Sequence, residues 1–202
     1  MKDKREKEII EIEFTEDLLN IWTDKYMKKH PRAKKKPLQF SSHPSLNTWI
    51  ILKRPSMNAL KQKWADFTEF VIDYYGLRDL GIKKCKCRYI VFKDSKRRSD
   101  VDNYSPKFIF DGFSAEHSGL IIDDSSDCVE ELTIRIEYRK GKRGGKFIFY
   151  DCEYDKELLQ QIKIKERGKT NKREKTLKEN KMIKSYKNMM ATPFLPRDSC
   201  LQ

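Results

Sequence analysis

Apolar residues recur along this chain with two different periods, which predict a mixture of helices and strands. The longest helical pattern runs from Pro55 to Gly76, where proline suits a first helical turn and glycine suits the stop. Its apolar positions follow three- and four-residue steps: Leu60, Trp64, Phe67, Phe70, Val71 and Tyr74. We interpret this face as part of the core, because an aromatic-rich helix face more often packs inward than stacks on bases.

The first 36 residues are predicted to be a charged N-terminal extension. Within it, "EIIEIEF" (8–14) alternates like a short strand, and "TEDLLNIWTDKYMKKH" (15–30) reads as an amphipathic helix capped by Thr15. The basic run "HPRAKKKP" that follows reads as a linker.

Residues 37–154 are predicted to form the main domain. A strand is expected at 83–94, and two more at 128–140 and 146–154, joined as a hairpin through "GKRGG". Strands that alternate with helices and end in a hairpin indicate an α/β (α+β) fold, with a mixed β-sheet packed with helices.

Composition limits the core to the middle of the chain. Only 38% of residues are hydrophobic and 37% are charged, so we expect residues 155–202 to be a basic tail, partly helical or disordered. No stretch approaches the ~20 apolar residues of a membrane span, and no signal-peptide run opens the chain. We therefore expect a cytoplasmic protein without a membrane partner.

The five cysteines are predicted to be reduced core residues rather than metal ligands. Cys85 and Cys87 lie two apart in a predicted strand and so share one face. Zinc would require histidine or cysteine partners at suitable spacing, which the three histidines do not offer: His30, His43 and His117.

A formal net charge of +13 points to a polyanionic partner. Nucleic acid is the commonest, because lysine and arginine that contact phosphates release condensed counterions. Solubility and an anionic membrane surface are the alternatives. The basic tail is equally consistent with a grip on nucleic acid and with a solvated end.

Against this charge, residues 99–127 gather six aspartates: Asp100, Asp102, Asp111, Asp123, Asp124 and Asp127. In extended backbone Asp100 and Asp102 would share a face, with Val101 turned toward the core. Carboxylates that close repel unless a cation lies between them, and Mg²⁺ prefers oxygen ligands.

The pair Asp123 and Asp124 follows "GLII", an apolar run that would bury a strand and present an acidic end. Two acidic elements that converge would hold one or two Mg²⁺ ions, which is a chemistry of phosphodiester hydrolysis. The alternative is that these aspartates are turn and cap residues before a short helix, "PKFIFDGF", begun by Ser105 and Pro106. A bare D-x-D also occurs where Mg²⁺ holds a nucleotide sugar.

"SDVDNYSPKFIFDGF" followed by "GLIIDDSSD" resembles the RusA family of Holliday-junction resolvases. Upstream, "HPSLNTW" and the basic "KDSKRRSD" are also similar to that family, so the likeness spans residues 37–154. It implies that Asp100, Asp102 and Asp124 are the essential carboxylates. Several further roles come from the resemblance alone: Asp123 as an additional metal ligand, Lys107 as the catalytic lysine, and Asn103 and Asp111 as supporting residues. Lys107 lies five residues after Asp102, where the family pattern has four.

The resemblance implies a Mg²⁺-dependent endodeoxyribonuclease, with Mn²⁺ as the alternative ion. Such an enzyme resolves Holliday junctions or related branched DNA in recombination and repair, as a homodimer that makes paired nicks. In that mechanism the metal activates a water for in-line attack, and Lys107 offsets charge on the phosphate oxygens.

Five residues are predicted to contact DNA: Lys93, Lys96, Arg97, Arg98 and Asn47. For the four cations the alternative is a solvated loop. For Asn47 the alternatives are the dimer partner and a structural turn. The competing function is a module that binds branched DNA or other nucleic acid without cutting it. A sugar-nucleotide transferase fits poorly, because the chain is short and lacks a nucleotide-binding βαβ opening.

Overall fold

In the computed structural model, residues 9–165 and 180–181 are described, and they form a mixed four-stranded sheet with helices. The strands are β1 (Ile10–Thr15), β2 (Ile82–Lys93), β3 (Val129–Tyr138) and β4 (Gly144–Tyr154). The helices are α1 (Glu16–Lys29), α2 (Leu46–Trp49), α3 (Arg54–Tyr74) and α4 (Lys107–Phe113), with a 3₁₀ turn at Val101–Tyr104. The predicted α+β class is confirmed.

The predicted hairpin between the last two strands is wrong. The strand order is β1-β4-β2-β3, so β2 lies between β3 and β4, parallel to the first and antiparallel to the second. The connection passes the end of β2, where Arg139 N donates to Lys93 O at 2.8 Å. The reason lies in β2, whose consecutive residues Tyr89–Phe92 are all buried, as expected of a central strand with partners on both edges.

The N-terminal extension is also not separate from the core. Strand β1 pairs antiparallel with β4, and Ile12 and Phe14 are almost fully buried. The alternation of its glutamates with apolar residues predicts the strand itself, but not its pairing with the distant β4. Thr15 caps α1 as predicted, with its Oγ1 accepting from Leu18 N at 3.2 Å. The β1–β4 approach requires Gly144 (φ +145°), where a Cβ would lie 2.0 Å from Phe14 O.

Helices α3 and α4 pack against each other as part of the hydrophobic core. The contact is close at Gly112, where a Cβ would lie only 2.6 Å from Thr68 Cβ. The predicted long helix is confirmed: Pro55 lies in its first turn, and Gly76 follows its end with φ +68°. Cys85 and Cys87 are both fully buried, as predicted for one strand face.

The chain divides into two units, residues 1–161 and 162–202, and the sheet lies in the first. Of the predicted tail, residues 156–165 and 180–181 are helical; predictions for 166–179 and 182–202, and for residues 1–8, lie outside the described residues. No helix in the described parts of the chain has both the length and the apolarity needed to cross a bilayer.

Candidate functional site

Helix α4 is anchored at its start by a histidine from far upstream. Phe108 N donates to His43 Nε2 at 3.0 Å. The other ring nitrogen, Nδ1, must therefore carry the proton, and it donates to Pro44 O at 2.7 Å. Burial lowers the pKa of His43 to about 4, so the ring is neutral near pH 7. This bond satisfies one of the backbone N–H groups that every helix start leaves unpaired.

Helix α4 begins one residue later in the structure than the sequence predicts. Pro106 is the N-cap and Lys107 the first helical residue, and Ser105 makes no capping hydrogen bond. The cap comes from His43, which lies 65 residues earlier. Only the tertiary fold brings that ring to α4.

Lys107, at the start of α4, lies close to the second acidic segment of the sequence. Its Nζ lies 4.0 Å from Asp124 Oδ2 and 3.9 Å from Asp111 Oδ1. Asp111 is mostly buried, and its Oδ2 lies 3.1 Å from Lys61 Nζ. The sequence gives no signal for Lys61, because it reaches Asp111 only through the packing of α3 against α4.

Asp100 lies in extended backbone (φ −81°, ψ 139°), but Asp102 does not, so the two do not share one extended segment as predicted. The segment forms the 3₁₀ turn with Asp100 at its start, and Asn103 N lies 3.4 Å from Asp100 O. Val101 is 47% exposed, so the prediction that it turns into the core is wrong. Aspartate and asparagine favour such turns, and the chain must bend here to enter α4. Both carboxylates are exposed and make no ion pair or hydrogen bond with another described residue.

The second acidic segment emerges from buried chain, as the sequence predicts. Leu120 and Ile121 are fully buried, although Ile121 makes a single parallel bridge to Ile82 rather than a strand. Asp123 and Asp124 follow at the surface, with Asp124 N donating to Asp123 Oδ1 at 2.9 Å.

These carboxylates have the oxygen donors that Mg²⁺ prefers, but they are not arranged as a preformed metal site. Oxygen donors suit Mg²⁺, which keeps several waters and often uses only one or two carboxylates. Within 9–165 and 180–181, however, no three His, Cys, Asp or Glu side chains are grouped as a metal would need. Metal ligation by Asp100, Asp102, Asp123 and Asp124 stays a prediction.

The predicted DNA-binding cations line one depression of about 510 Å³, here named the basic groove. Its cations are Lys93, Lys96, Arg97, Arg98 and Arg135. Lys93 makes intramolecular hydrogen bonds: its Nζ donates to Arg97 O at 2.8 Å and to Ser99 Oγ at 2.6 Å. It thereby holds the loop that forms one wall of the groove.

Strand β3 supplies the rest of the basic groove. Ile134, Ile136 and Tyr138 line it from one face of the strand, and Val101 lines it from the 3₁₀ turn. The groove therefore reaches the residue between Asp100 and Asp102. Sequence reasoning missed Arg135 and Tyr138, because the pairing of β3 with β2 decides which residues face the loop.

Asn47 lies exposed in α2, beside the 3₁₀ turn that this helix contacts. The turn that starts α2 is made by its neighbours, with Ser45 Oγ and Thr48 Oγ1 2.9 Å apart. Asn47 itself makes no hydrogen bond to another described side chain, so its predicted contact with DNA or a dimer partner stays a prediction.

Compared with known proteins, the chain matches no family model and no curated protein. The likeness to the RusA family accordingly rests on the motif residues themselves.

Proposed function

We propose that this protein is a metal-dependent endonuclease that resolves Holliday junctions or related branched DNA by paired nicks in recombination or repair. One observation carries the proposal. Lys107 begins the helix that directly follows "DVDN", and it lies 4.0 Å from Asp124 of the second acidic segment. The second acidic segment thus adjoins the exposed lysine that follows the first segment in the sequence, and this supports the site that the resemblance to RusA resolvases implies.

The basic groove supports DNA as the substrate. Its cations can contact successive phosphates, which fixes the register of a strand without reading its sequence. Because Val101 lines the groove, a strand held there passes beside Asp100 and Asp102. Carboxylates near phosphate are repulsive unless a cation bridges them, so this placement favours catalysis over simple binding.

The chain's own groups supply positioning and charge. A bound Mg²⁺ or Mn²⁺ ion would polarise the phosphate and activate a water. Lys107, whose side chain is 55% exposed, can offset charge on the phosphate oxygens. Asp111 orients Lys107 from within the same helix, and Lys61 balances the charge of Asp111. His43 fixes the helix start from which Lys107 projects.

The proposal includes a homodimer, because a four-way junction has approximate two-fold symmetry and resolution requires two matched nicks. It also includes cytoplasmic action on DNA.

Asp102→Asn tests the proposal, with Asp127→Asn as the matched control. Both change one exposed aspartate to its neutral isostere, but only Asp102 belongs to "DVDN". We expect Asp102→Asn to abolish Mg²⁺-dependent cutting of a four-way junction and to leave binding intact, while Asp127→Asn cuts like the wild type. Full cutting by Asp102→Asn would refute the proposed site.

The second candidate is a module that binds branched DNA without cutting it. The observation that favours it is the absence, among the described residues, of a three-carboxylate metal group. Lys107 and Lys61 also compensate Asp124 and Asp111 without any metal. Protein that binds four-way junctions but never nicks them, with Mg²⁺ or Mn²⁺ over a range of pH, would establish this alternative.

A further inference from the structure

We propose that the basic groove binds an unpaired nucleotide of a DNA strand, with the base stacked on Tyr138 and the phosphates held by Lys96 and Arg135. This inference rests on the proposed function for its choice of DNA, and it names the part of the substrate that the groove takes: single strand at or beside a branch point.

The lining of the groove combines two chemistries that duplex DNA does not need together. Its lining includes both cations and apolar side chains, the latter being Ile134 and Ile136 on the same strand face as the exposed Tyr138. A duplex presents mainly phosphates to a basic surface, since its bases are stacked on one another. Grooves that track single strands pair cations with aromatic rings on which bases stack.

Tyr138 is placed to offer the face of its ring. Its side chain is 46% exposed, and Lys96 Nζ lies 5.3 Å from the ring centroid. A cation over an aromatic face is a weak and solvent-exposed contact. An entering base can take the place of the ammonium, and Lys96 is then free to pair with the phosphate of the same nucleotide.

The groove also has the dimensions of a nucleotide site. A volume of about 510 Å³ lies within the range of pockets that hold small organic ligands. No acidic side chain is among the residues lining it. Arg135 Nε lies 3.7 Å from Glu137 Oε1 in an exposed ion pair, and a phosphate would take the place of that carboxylate. The wall opposite β3 is held in place by Lys93, which bonds Arg97 O and Ser99 Oγ.

Fluorescence anisotropy with metal-free protein tests the stacking contact. The probe is a labelled dT 12-mer, compared with a duplex of the same length. We expect Tyr138→Ala to weaken binding of the single strand roughly 5- to 150-fold, while Tyr138→Phe, which keeps the ring, stays within about twofold of wild type. Tyr74→Ala, which removes an exposed tyrosine from α3, is the matched control and should bind like wild type. Equal binding by Tyr138→Ala and Tyr138→Phe would overturn the proposal.

The salt dependence of binding separates the ring from the cations. Arg135→Gln should lower the slope of log K against log salt by about 0.7, the value for one phosphate contact on a single strand. Tyr138→Ala should leave that slope unchanged, because stacking releases no counterions. Lys83→Gln, at the opposite end of β2, should behave like wild type. An unchanged slope in Arg135→Gln would overturn its role as a phosphate contact.

Two further arms decide the strand type. Tighter binding of the duplex than of the dT 12-mer would overturn the single-strand assignment, and tighter binding of an rU 12-mer would overturn the assignment to DNA. Failure here is distinguishable from failure of the nuclease proposal. Cutting that survives with unaltered binding in Tyr138→Ala refutes only the groove, whereas groove-dependent binding without any nicking refutes only the nuclease.

Discussion

Acidification should destabilise the fold through His43, and the effect can be isolated with one substitution. The folded protein keeps this ring neutral, since burial lowers its pKa to about 4 from the usual 6.5. Its nearest ring neighbours are apolar, Trp64 and Phe108. Protonation of Nε2 would also break the hydrogen bond from Phe108 N that begins α4.

The sign and size of the effect follow from the two pKa values. Above pH 6.5 the ring is neutral in both states, and His43 adds no pH dependence. Between pH 6.5 and about 4, His43 binds a proton in the unfolded chain but not in the folded chain. The free energy of unfolding therefore decreases as the pH is lowered through this range. The pKa values differ by about 2.5, and each unit is worth about 1.4 kcal/mol. The loss is therefore about 3 kcal/mol, out of the ~5–15 kcal/mol typical of a domain.

The assay is urea unfolding followed by circular dichroism at pH 7.5, 6.5, 5.5 and 4.5, for wild type and His43→Gln. Glutamine can accept the N–H of Phe108 through its amide oxygen but does not titrate. Other acid-sensitive groups contribute equally to both proteins, so the difference between them reports His43. We expect the wild type to lose about 2.5 kcal/mol more than the variant between pH 7.5 and 4.5. Parallel pH profiles would refute the reasoning.

Contacts elsewhere give three further expected outcomes. Gly112→Ala should cost about 1–3 kcal/mol by overpacking against Thr68 Cβ; an unchanged urea midpoint in this variant would contradict this. Lys61→Met removes the nearer cation from the mostly buried Asp111, which should cost about 1 kcal/mol in thermal unfolding, and an unaltered Tm would count against it. The hydrogen bond between the His117 ring and Glu69 is the largest cause that lowers the pKa of Glu69 from its usual 4.5. The stability that the Glu69 carboxylate contributes is therefore present above that pH and is lost as the pH falls through the folded value. Glu69→Gln should accordingly be less stable than wild type at pH 7, with the difference shrinking in acid; a constant difference would argue against it.

Local elements were predictable because their signals are local. The apolar period of α3, the Thr15 cap of α1 and the unbroken apolar run of β2 each identify an element from neighbouring residues. The motif "GLIIDDSSD" likewise placed Asp123 and Asp124 at the surface end of a buried segment.

Pairing between distant segments was not predictable in the same way. A short glycine-rich connection favours a hairpin, yet β3 and β4 each pair with β2, which lies between them in the sheet. The alternating residues predicted β1 as a strand, but its pairing with β4 joins segments that lie far apart in the sequence. The start of α4, which follows the 3₁₀ turn at "DVDN", is capped by His43 from 65 residues away.

The same distinction between local and long-range contacts applies to the residues of the candidate site. Residues within one segment, such as Lys107 and Asp111, could be paired from their four-residue spacing. Lys61, Arg135 and Tyr138 could not be assigned, because each enters the site only through packing or strand register.

The measurement that tests the central claim most directly is cleavage of end-labelled cruciform DNA and linear duplex by the purified protein, with and without Mg²⁺. The account predicts symmetric nicks that are confined to the cruciform and that require the metal. Cutting of both substrates alike, cutting without a metal, or binding of the cruciform with no nicks in either Mg²⁺ or Mn²⁺ would contradict it.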